Sequence, residues 1–303
     1  MSEGFQSVAI VGLGLIGSSI ARAAKASNVA LRITGYDLDP AIRARAAALG
    51  FADRIADTPA EAVAEADLVI LCVPVGAMGA AADAISGHLA PGAVISDVGS
   101  SKTAVGEVLR AALPGARIVP AHPVAGTENS GPEAGFAELF QGRWCILTPD
   151  GNADAEDVAR VAAFWAGLGA KVEMMDARHH DLVLAVTSHL PHLIAFTIVG
   201  TASDLERVTE SEVIKYSAGG FRDFTRIAAS NPTMWRDIFL SNKAAVQDIL
   251  ARFKDDLALL ERAIEADDGD TLFELFTRTA AIRRGIVQQG QDVAGPNFGR
   301  PAG

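Results

Sequence analysis

The segment Pro120-Ala121-His122-Pro123-Val124-Ala125-Gly126-Thr127-Glu128-Asn129-Ser130-Gly131 concentrates groups that move or share a proton. An imidazole with an ordinary pKa near ~6.5 accepts a proton at neutral pH, and Thr127, Glu128, Asn129 and Ser130 supply hydroxyl, carboxylate and amide within one turn of chain. Pro123 disfavours helical backbone at His122, because the proline ring collides with the residue before it, so His122 is expected on an extended, held loop. Gly126 and Gly131 permit sharp bends beyond it. Alone, this is a polar turn between two elements. Its place behind a nucleotide-binding pattern makes it a candidate for catalysis.

That pattern opens the chain. Residues 7–11 are a short β-branched run leading into Gly12-Leu13-Gly14-Leu15-Ile16-Gly17, and residues 18–27 are helix formers. In a strand, glycine turn and helix, Gly12 makes the tight turn, Gly14 lets a pyrophosphate approach the backbone, and Gly17 lets the helix pack on the strand. The helix N-terminus then presents free N–H groups and a positive dipole end to the phosphates. A second strand at residues 31–36 ends in Asp37, near the offset of the acid that binds the adenosine ribose. A carboxylate there bonds the ribose hydroxyls and repels a 2′-phosphate, which favours NAD over NADP. Gly12, Gly14, Leu15, Ile16, Gly17 and Asp37 are the expected cofactor contacts, and Arg43 and Arg45 read as the exposed face of the next helix.

Further strand candidates follow at residues 67–73, 93–97, 117–119, 144–147 and 171–175, several of them continuous apolar runs, as in a parallel sheet covered on both faces. Ligands of such sheets collect at the carboxyl ends of the strands, where Pro74, Ser100 and His122 are expected to converge. Asp97-Val98-Gly99-Ser100-Ser101-Lys102 adds a second cluster at that edge. Ser100 is placed to bond His122 or a substrate hydroxyl, and Lys102 to hold a carboxylate or act as an acid. Ser100 or Ser101 equally suits the N-cap of a helix over 103–113.

After Asp176 only helical spacing remains. The chain is therefore read as an α/β Rossmann-type domain with a mostly parallel sheet, 1–175, followed by an all-α domain, 176–303. Phe239, Val246, Ile249, Phe253, Leu257, Leu260 and Ile264 predict one long amphipathic helix, which packs either against a second chain or within its own. Arg178-His179-His180-Asp181 and Ser188-His189-Leu190-Pro191-His192 put several imidazoles on one stretch. No third ligand stands at metalloprotease spacing, so a polar lining of the interdomain cleft is expected and no metal. Arg222 and Arg226, four apart, share a helix face; a guanidinium there clamps a carboxylate, or simply pairs with Asp223 at the surface.

Composition narrows the classes. Half of the 303 residues are hydrophobic, 21% are charged, and the mean hydropathy of +0.24 fits a well-buried globule long enough for two domains. A net charge of -11 works against nucleic acid or an anionic membrane as partner, since both need a basic face. An anionic small-molecule substrate must then be met by local cations. Cys72 and Cys145 lie in apolar runs and read as small buried hydrophobes. No apolar leader follows Met1, and the apolar stretch 182–200 holds His189, Pro191 and His192, poor in a membrane span; the expected location is the cytoplasm. Residues 295–303 read as a loose tail.

With these residues in place, the chain resembles the prephenate and arogenate dehydrogenase family of tyrosine biosynthesis over nearly its whole length. The generic motif is Gly12 to Gly17. The specific ones are Asp97 to Lys102, His122-Pro123 with Gly126 to Gly131, and His189-Leu190-Pro191-His192 with Gly219-Gly220-Phe221-Arg222-Asp223-Phe224-Thr225-Arg226. The resemblance implies a Rossmann-type domain joined to a helical dimerisation domain, hence a homodimer. It implies His122 as catalytic histidine, Ser100 as its partner, Arg226 as the substrate-carboxylate anchor, and Thr127, Glu128, His189 and His192 as active-site lining. The implied reaction is NAD-dependent oxidative decarboxylation of prephenate to 4-hydroxyphenylpyruvate, of arogenate to tyrosine, or of both. Two alternatives stand beside it. A β-hydroxyacid dehydrogenase would want a catalytic lysine in the helical half, where Lys215 and Lys243 lack a supporting pattern, and a non-catalytic NAD sensor would leave the proton-handling residues idle.

Overall fold

The computed structural model describes residues 4–127, 129–206 and 219–286. Glu128, Lys215 and the expected tail at 295–303 lie outside them.

Six parallel strands form the first sheet: β1 (Ser7–Val11), β2 (Arg32–Tyr36), β3 (Arg54–Ile55), β4 (Leu68–Leu71), β5 (Val94–Asp97) and β6 (Arg117–Ile118), in the order β3-β2-β1-β4-β5-β6. The order reverses between β1 and β4, the switch point where such sheets open a ligand crevice. Every residue of β1, β4 and β5 is buried, because successive side chains point to opposite faces and helices cover both. Val8, Ile10, Leu68 and Ile70 join the core beneath α1 (Leu15–Ser27), while Ala9, Val11, Val69 and Leu71 join the core holding Ile85 and Leu109. The other crossovers carry α2 (Pro40–Leu49), α3 (Pro59–Val63), α4 (Met78–Ile85) and α5 (Thr103–Ala112).

A three-stranded sheet follows, built from β7 (Ala121–Pro123), β8 (Trp144–Leu147) and β9 (Lys171–Met174), with α6 (Ala155–Gly167) between the last two. Strand β7 runs antiparallel to β8, and β9 parallel to it. His122 therefore lies in a strand, opposite Ile146, and not in a loop. The extended backbone that Pro123 imposes is the conformation a strand needs, and as the edge of this sheet β7 tolerates a proline.

From residue 177 onward the described chain is helical: α7 (Ala177–Leu184), a π-helical turn (Ala185–His189) and α8 (Leu190–Glu206) run without interruption. Pro191 has no N–H to offer the carbonyl four residues back, and the wide turn ahead of it absorbs that lost bond. After α9 (Gly219–Thr225) and a short 3-10 turn (Arg226–Ala229) come α10 (Pro232–Ser241), α11 (Lys243–Glu265) and α12 (Gly269–Ile286). The single helix predicted through Phe239 and Val246 is thus two, separated at Asn242, whose side chain is turned inward and buried. The chain packs as two compact units, Met1–Gln247 and Asp248–Gly303. Both sheets and the helices through α10 belong to the first, and the second contains α12 and most of α11.

Candidate active site

The site is built outward from Asp97. This residue ends β5 in register with Leu71 of β4, which is itself in register with Val11 of β1, so it stands at the same carboxyl edge as the glycine turn. Its carboxylate forms a fully buried ion pair with Lys102 Nζ and accepts bonds from the N–H groups of Gly99 at 2.8 Å and Ala121 at 3.3 Å. Lys102 Nζ also donates to the Ala121 carbonyl at 2.6 Å. A buried charge is tolerated only when paired and hydrogen-bonded, and here both conditions are met inside the protein. Lys102 thus engages the protein's own carboxylate and clamps β7 to the end of β5.

One residue on, His122 is 8% exposed, and its Nδ1 lies 2.8 Å from His180 Nε2. His180, wholly buried on α7, places its Nδ1 2.9 Å from Asp181 Oδ1. Asp181 in turn accepts the backbone N–H groups of Lys102 at 2.7 Å and Thr103 at 2.9 Å. The start of α5 is therefore capped by an acid from a distant helix, and not by Ser100 or Ser101, for which the sequence left capping and chemistry equally open. The Ser101 hydroxyl is 2.7 Å from that of Ser241, and Ser100 is half-buried. Among the described residues no hydrogen bond joins Ser100 to His122. Burial holds the His122 pKa well below the ordinary histidine value, reinforced by the charges of His180, Lys102 and His189. It lowers His180 as well, against the opposing bond to Asp181. Burial opposes the Asp181 carboxylate too, but the bonds from His180 and the start of α5 outweigh it and keep the acid below its usual range.

The network continues into the second half of the chain. Asn242 Nδ2 donates to the Asp181 carbonyl at 2.7 Å and lies 3.1 Å from His189 Nδ1. An amide nitrogen only donates, so His189 accepts at Nδ1 and carries its hydrogen on Nε2. That Nε2 is buried without a hydrogen-bond partner among the described residues, as is Trp235 Nε1; the two rings are 6.1 Å apart. Burial lowers the His189 pKa to about 4. His192 stacks on Trp235 at 3.6 Å, and its Nδ1 lies 2.8 Å from the Ser188 carbonyl; since a carbonyl only accepts, this nitrogen carries the hydrogen. Its pKa is lowered by burial and then by the positive charge of Arg226, which places that exposed guanidinium near the pair. Thr127 is exposed, and its hydroxyl accepts from Asn129 N at 3.2 Å.

The glycine turn has the shape of a dinucleotide cradle. Gly12 adopts φ +101, and a Cβ there would sit 2.4 Å from the Cys72 carbonyl oxygen; at Gly17 it would sit 2.0 Å from that of Gly12. Gly14 instead faces open space. Helix α1 begins just after it with no side-chain cap and no acid in its first turn, so its leading N–H groups and dipole remain available to phosphate. Leu15 and Ile16 are half-buried in that turn. Asp37 Oδ2 accepts from Leu13 N at 2.8 Å and Oδ1 from Asp39 N at 3.0 Å, which fixes the acid beside the cradle. Arg43 is not merely surface: its guanidinium folds back to the carbonyls of Asp37 and Leu38 at 2.8 and 3.1 Å. Arg45 pairs with Glu133 at 3.4 Å. These residues fit NAD. Among the described residues no group of three or more histidine, cysteine or acidic side chains is arranged to hold a metal.

Sequence reasoning brought His122, His189 and His192 to one region but treated His180 and Asp181 as cleft lining. An acid directly after an imidazole in Arg178-His179-His180-Asp181 was the available signal. Trp235 and Asn242 carried none, because each looks like an ordinary helix residue until its partner is known.

The family model described as the prephenate dehydrogenase nucleotide-binding domain matches residues 20–174, and that of the prephenate dehydrogenase dimerization domain matches 176–278. The chain is 48% identical to a cyclohexadienyl dehydrogenase of Zymomonas mobilis over 92% of its own length and 95% of the relative's. It is 34% identical to the prephenate dehydrogenase of Bacillus subtilis over 94% of this chain and 77% of that one. Among solved structures, prephenate dehydrogenase from Aquifex aeolicus in complex with hydroxyphenyl propionate and NAD+ superposes with a TM-score of 0.88 at 36% identity, covering 94% of this chain and all of the other.

Proposed function

The chain belongs to the prephenate dehydrogenase family, and from that premise we propose that it catalyses NAD-dependent oxidative decarboxylation of prephenate, arogenate or both, in tyrosine biosynthesis. The product is 4-hydroxyphenylpyruvate or tyrosine respectively. NAD, when bound, supplies the hydride acceptor; Gly12, Gly14, Leu15, Ile16 and Gly17 hold its pyrophosphate and Asp37 its adenosine ribose.

The observation that carries the reading is a buried imidazole on β7 whose neighbour Ala121 is bonded to Asp97 and Lys102, at the carboxyl edge of the sheet that bears the glycine turn. As hydride departs from the hydroxyl-bearing carbon, a carbonyl develops only if the hydroxyl proton leaves, and His122 accepts it as general base. The bond to the ring carboxylate then breaks, carbon dioxide departs, the electron pair left behind completes the aromatic ring, and the phenolate oxygen so formed takes back the proton held by His122. Ser100 is assigned as a hydroxyl partner for substrate or His122, since it lies beside the clamped Ser101 and Lys102. Arg226 is assigned to a substrate carboxylate, supported by its charge beside His192 in an otherwise acidic chain. His189 and His192 are assigned as substrate contacts, supported for His189 by an N–H that has no acceptor among the described residues. Thr127 and Glu128 complete the assigned lining.

We also propose a division at residue 175 into cofactor and helical domains, and a homodimer formed through the latter. In the first compact unit the far half of α8 exposes Ile198, Val199 and Leu205, and in the second α12 exposes Phe273, Phe276 and Ile282. Apolar surface of that extent calls for a cover. Helical run Ala177–Leu205 is long and apolar enough to cross a membrane. Its His180 and Asp181, however, bond His122, Lys102 and Thr103, which supports a core helix. A cytoplasmic location accords with two free thiols, Cys72 and Cys145.

The test is NADH formation by purified protein with prephenate and with arogenate in parallel. One mole of carbon dioxide per mole of NADH with at least one of them is expected. No NADH with either would overturn the reading.

A further inference from the structure

We propose that Asp181 and His180 are positioning residues that fix the tautomer of His122, so that its Nδ1 carries the hydrogen and its Nε2 stays bare for the substrate hydroxyl. This rests on the reading of His122 as the base, and adds two residues and one specified nitrogen to it.

The assignment follows from donor and acceptor counting along the chain of contacts. An ionised carboxylate only accepts. Asp181 meets the N–H groups of Lys102 and Thr103 and, at 2.9 Å, His180 Nδ1; that nitrogen must therefore be the donor. A neutral imidazole has one donor and one acceptor, so His180 Nε2 holds a lone pair. His122 Nδ1, 2.8 Å from it, is left only the donor role. His122, itself neutral, then has its lone pair on Nε2, and among the described residues no hydrogen bond occupies that atom.

The same chain stabilises the charge that catalysis creates. When the hydroxyl proton arrives at Nε2, the imidazolium still donates Nδ1–H to His180, and His180 still donates Nδ1–H to the Asp181 anion. One proton moves, from substrate oxygen to His122; neither positioning residue gains or loses one. The other charged groups at hand do not offer this. Lys102, from the start of α5, is positive but paired with Asp97 of β5, and His189, at the end of the π-helical turn, accepts from Asn242 and points no lone pair onward. Asp181 is itself held from two sides, by the start of α5 and by Asn242 at its carbonyl, so the direction of the chain is set by groups that do not titrate near neutrality.

Two measurements test this. In the wild-type protein, nitrogen-15 NMR of labelled histidine, with His122 assigned by its loss in His122→Asn, is expected to show hydrogen on Nδ1 and a bare Nε2 at neutral pH. In turnover, His180→Phe keeps ring volume but offers no acceptor, whereas His180→Gln offers an amide oxygen. With NAD affinity and substrate KM within about threefold of wild type, His180→Phe is expected to lose kcat by about 10²-fold, and His180→Gln to recover at least about tenfold of that. Hydrogen on Nε2 of His122, or a His180→Phe enzyme with kcat within about threefold of wild type, would overturn the inference while wild-type turnover left the dehydrogenase reading standing. If His180→Phe does not fold, the wild-type spectrum decides alone. A wild-type protein inactive with both cyclohexadienols would instead count against the reading itself.

Discussion

At the scale of single residues, burial sets the chemistry of this site more than any pair of charges does. The role proposed for His122 requires a neutral ring, and burial lowers its pKa well below the ordinary 6.5. Protonation is therefore delayed to lower pH. The acid limb of kcat/KM, which reports the free enzyme, is expected to fall below pH 6.5; a limb at or above 6.5 would show that His122 is not the titrating base. Lys102 shows the opposite solution, a charge kept by pairing. Lys102→Met would leave the Asp97 carboxylate buried without its counter-ion, and a loss of about 3–5 kcal/mol in urea unfolding is expected. An unchanged midpoint would mean that the pair contributes nothing. His122 was legible in the sequence because Pro123 and the polar residues after it mark the position. For Lys102 the sequence left two roles open, holding a carboxylate or acting as an acid, since nothing local reveals that Asp97, five residues earlier, turns inward to meet it.

At the scale of elements, local rules carried the first half of the chain and failed where partners are remote. The buried strands β1, β4 and β5 announce themselves as apolar runs, and the glycine turn by its spacing. The cap of α5 could not be read that way: two serines with good capping chemistry stand before it, and the acceptor comes instead from Asp181, far along the chain on α7. The π-helical turn before Pro191 and the break at Asn242 were hidden too, because apolar spacing runs straight through both. Asn242 breaks a helix and in doing so bonds the Asp181 carbonyl and His189. Asn242→Ala leaves His189 Nδ1 unmet and removes one of the two donors to the Asp181 carbonyl, which keeps the Ala185 N–H, so a cost of about 1–3 kcal/mol in thermal or urea unfolding is expected. A neutral effect would assign the break to backbone preference alone.

At the scale of the whole molecule, the proposed function asks an acidic chain to attract an anionic substrate through a few local cations, and the proposed dimer would cover apolar side chains exposed among the described residues. Phe273 is 72% exposed and Phe276 54%. Light scattering is expected to give twice the 31.5 kDa chain mass, and Phe273→Glu with Phe276→Glu to shift it toward the single chain. A wild-type monomer at micromolar concentration would remove the dimer. The long-range order of the site, by contrast, was only partly accessible to sequence: the histidine motifs could be gathered to one region, but not the order in which they hand a hydrogen bond from ring to ring.

The proposed mechanism depends on the imidazole at 122 taking the proton whose departure lets hydride leave. The His122→Asn variant tests this most directly, compared with wild type for NADH formation from whichever cyclohexadienol the wild-type enzyme oxidises, with NAD binding measured in parallel. NAD affinity is expected to be kept and kcat to fall by about 10²-fold or more. A His122→Asn enzyme that turns over within a few-fold of wild type would contradict the role of His122 as the base.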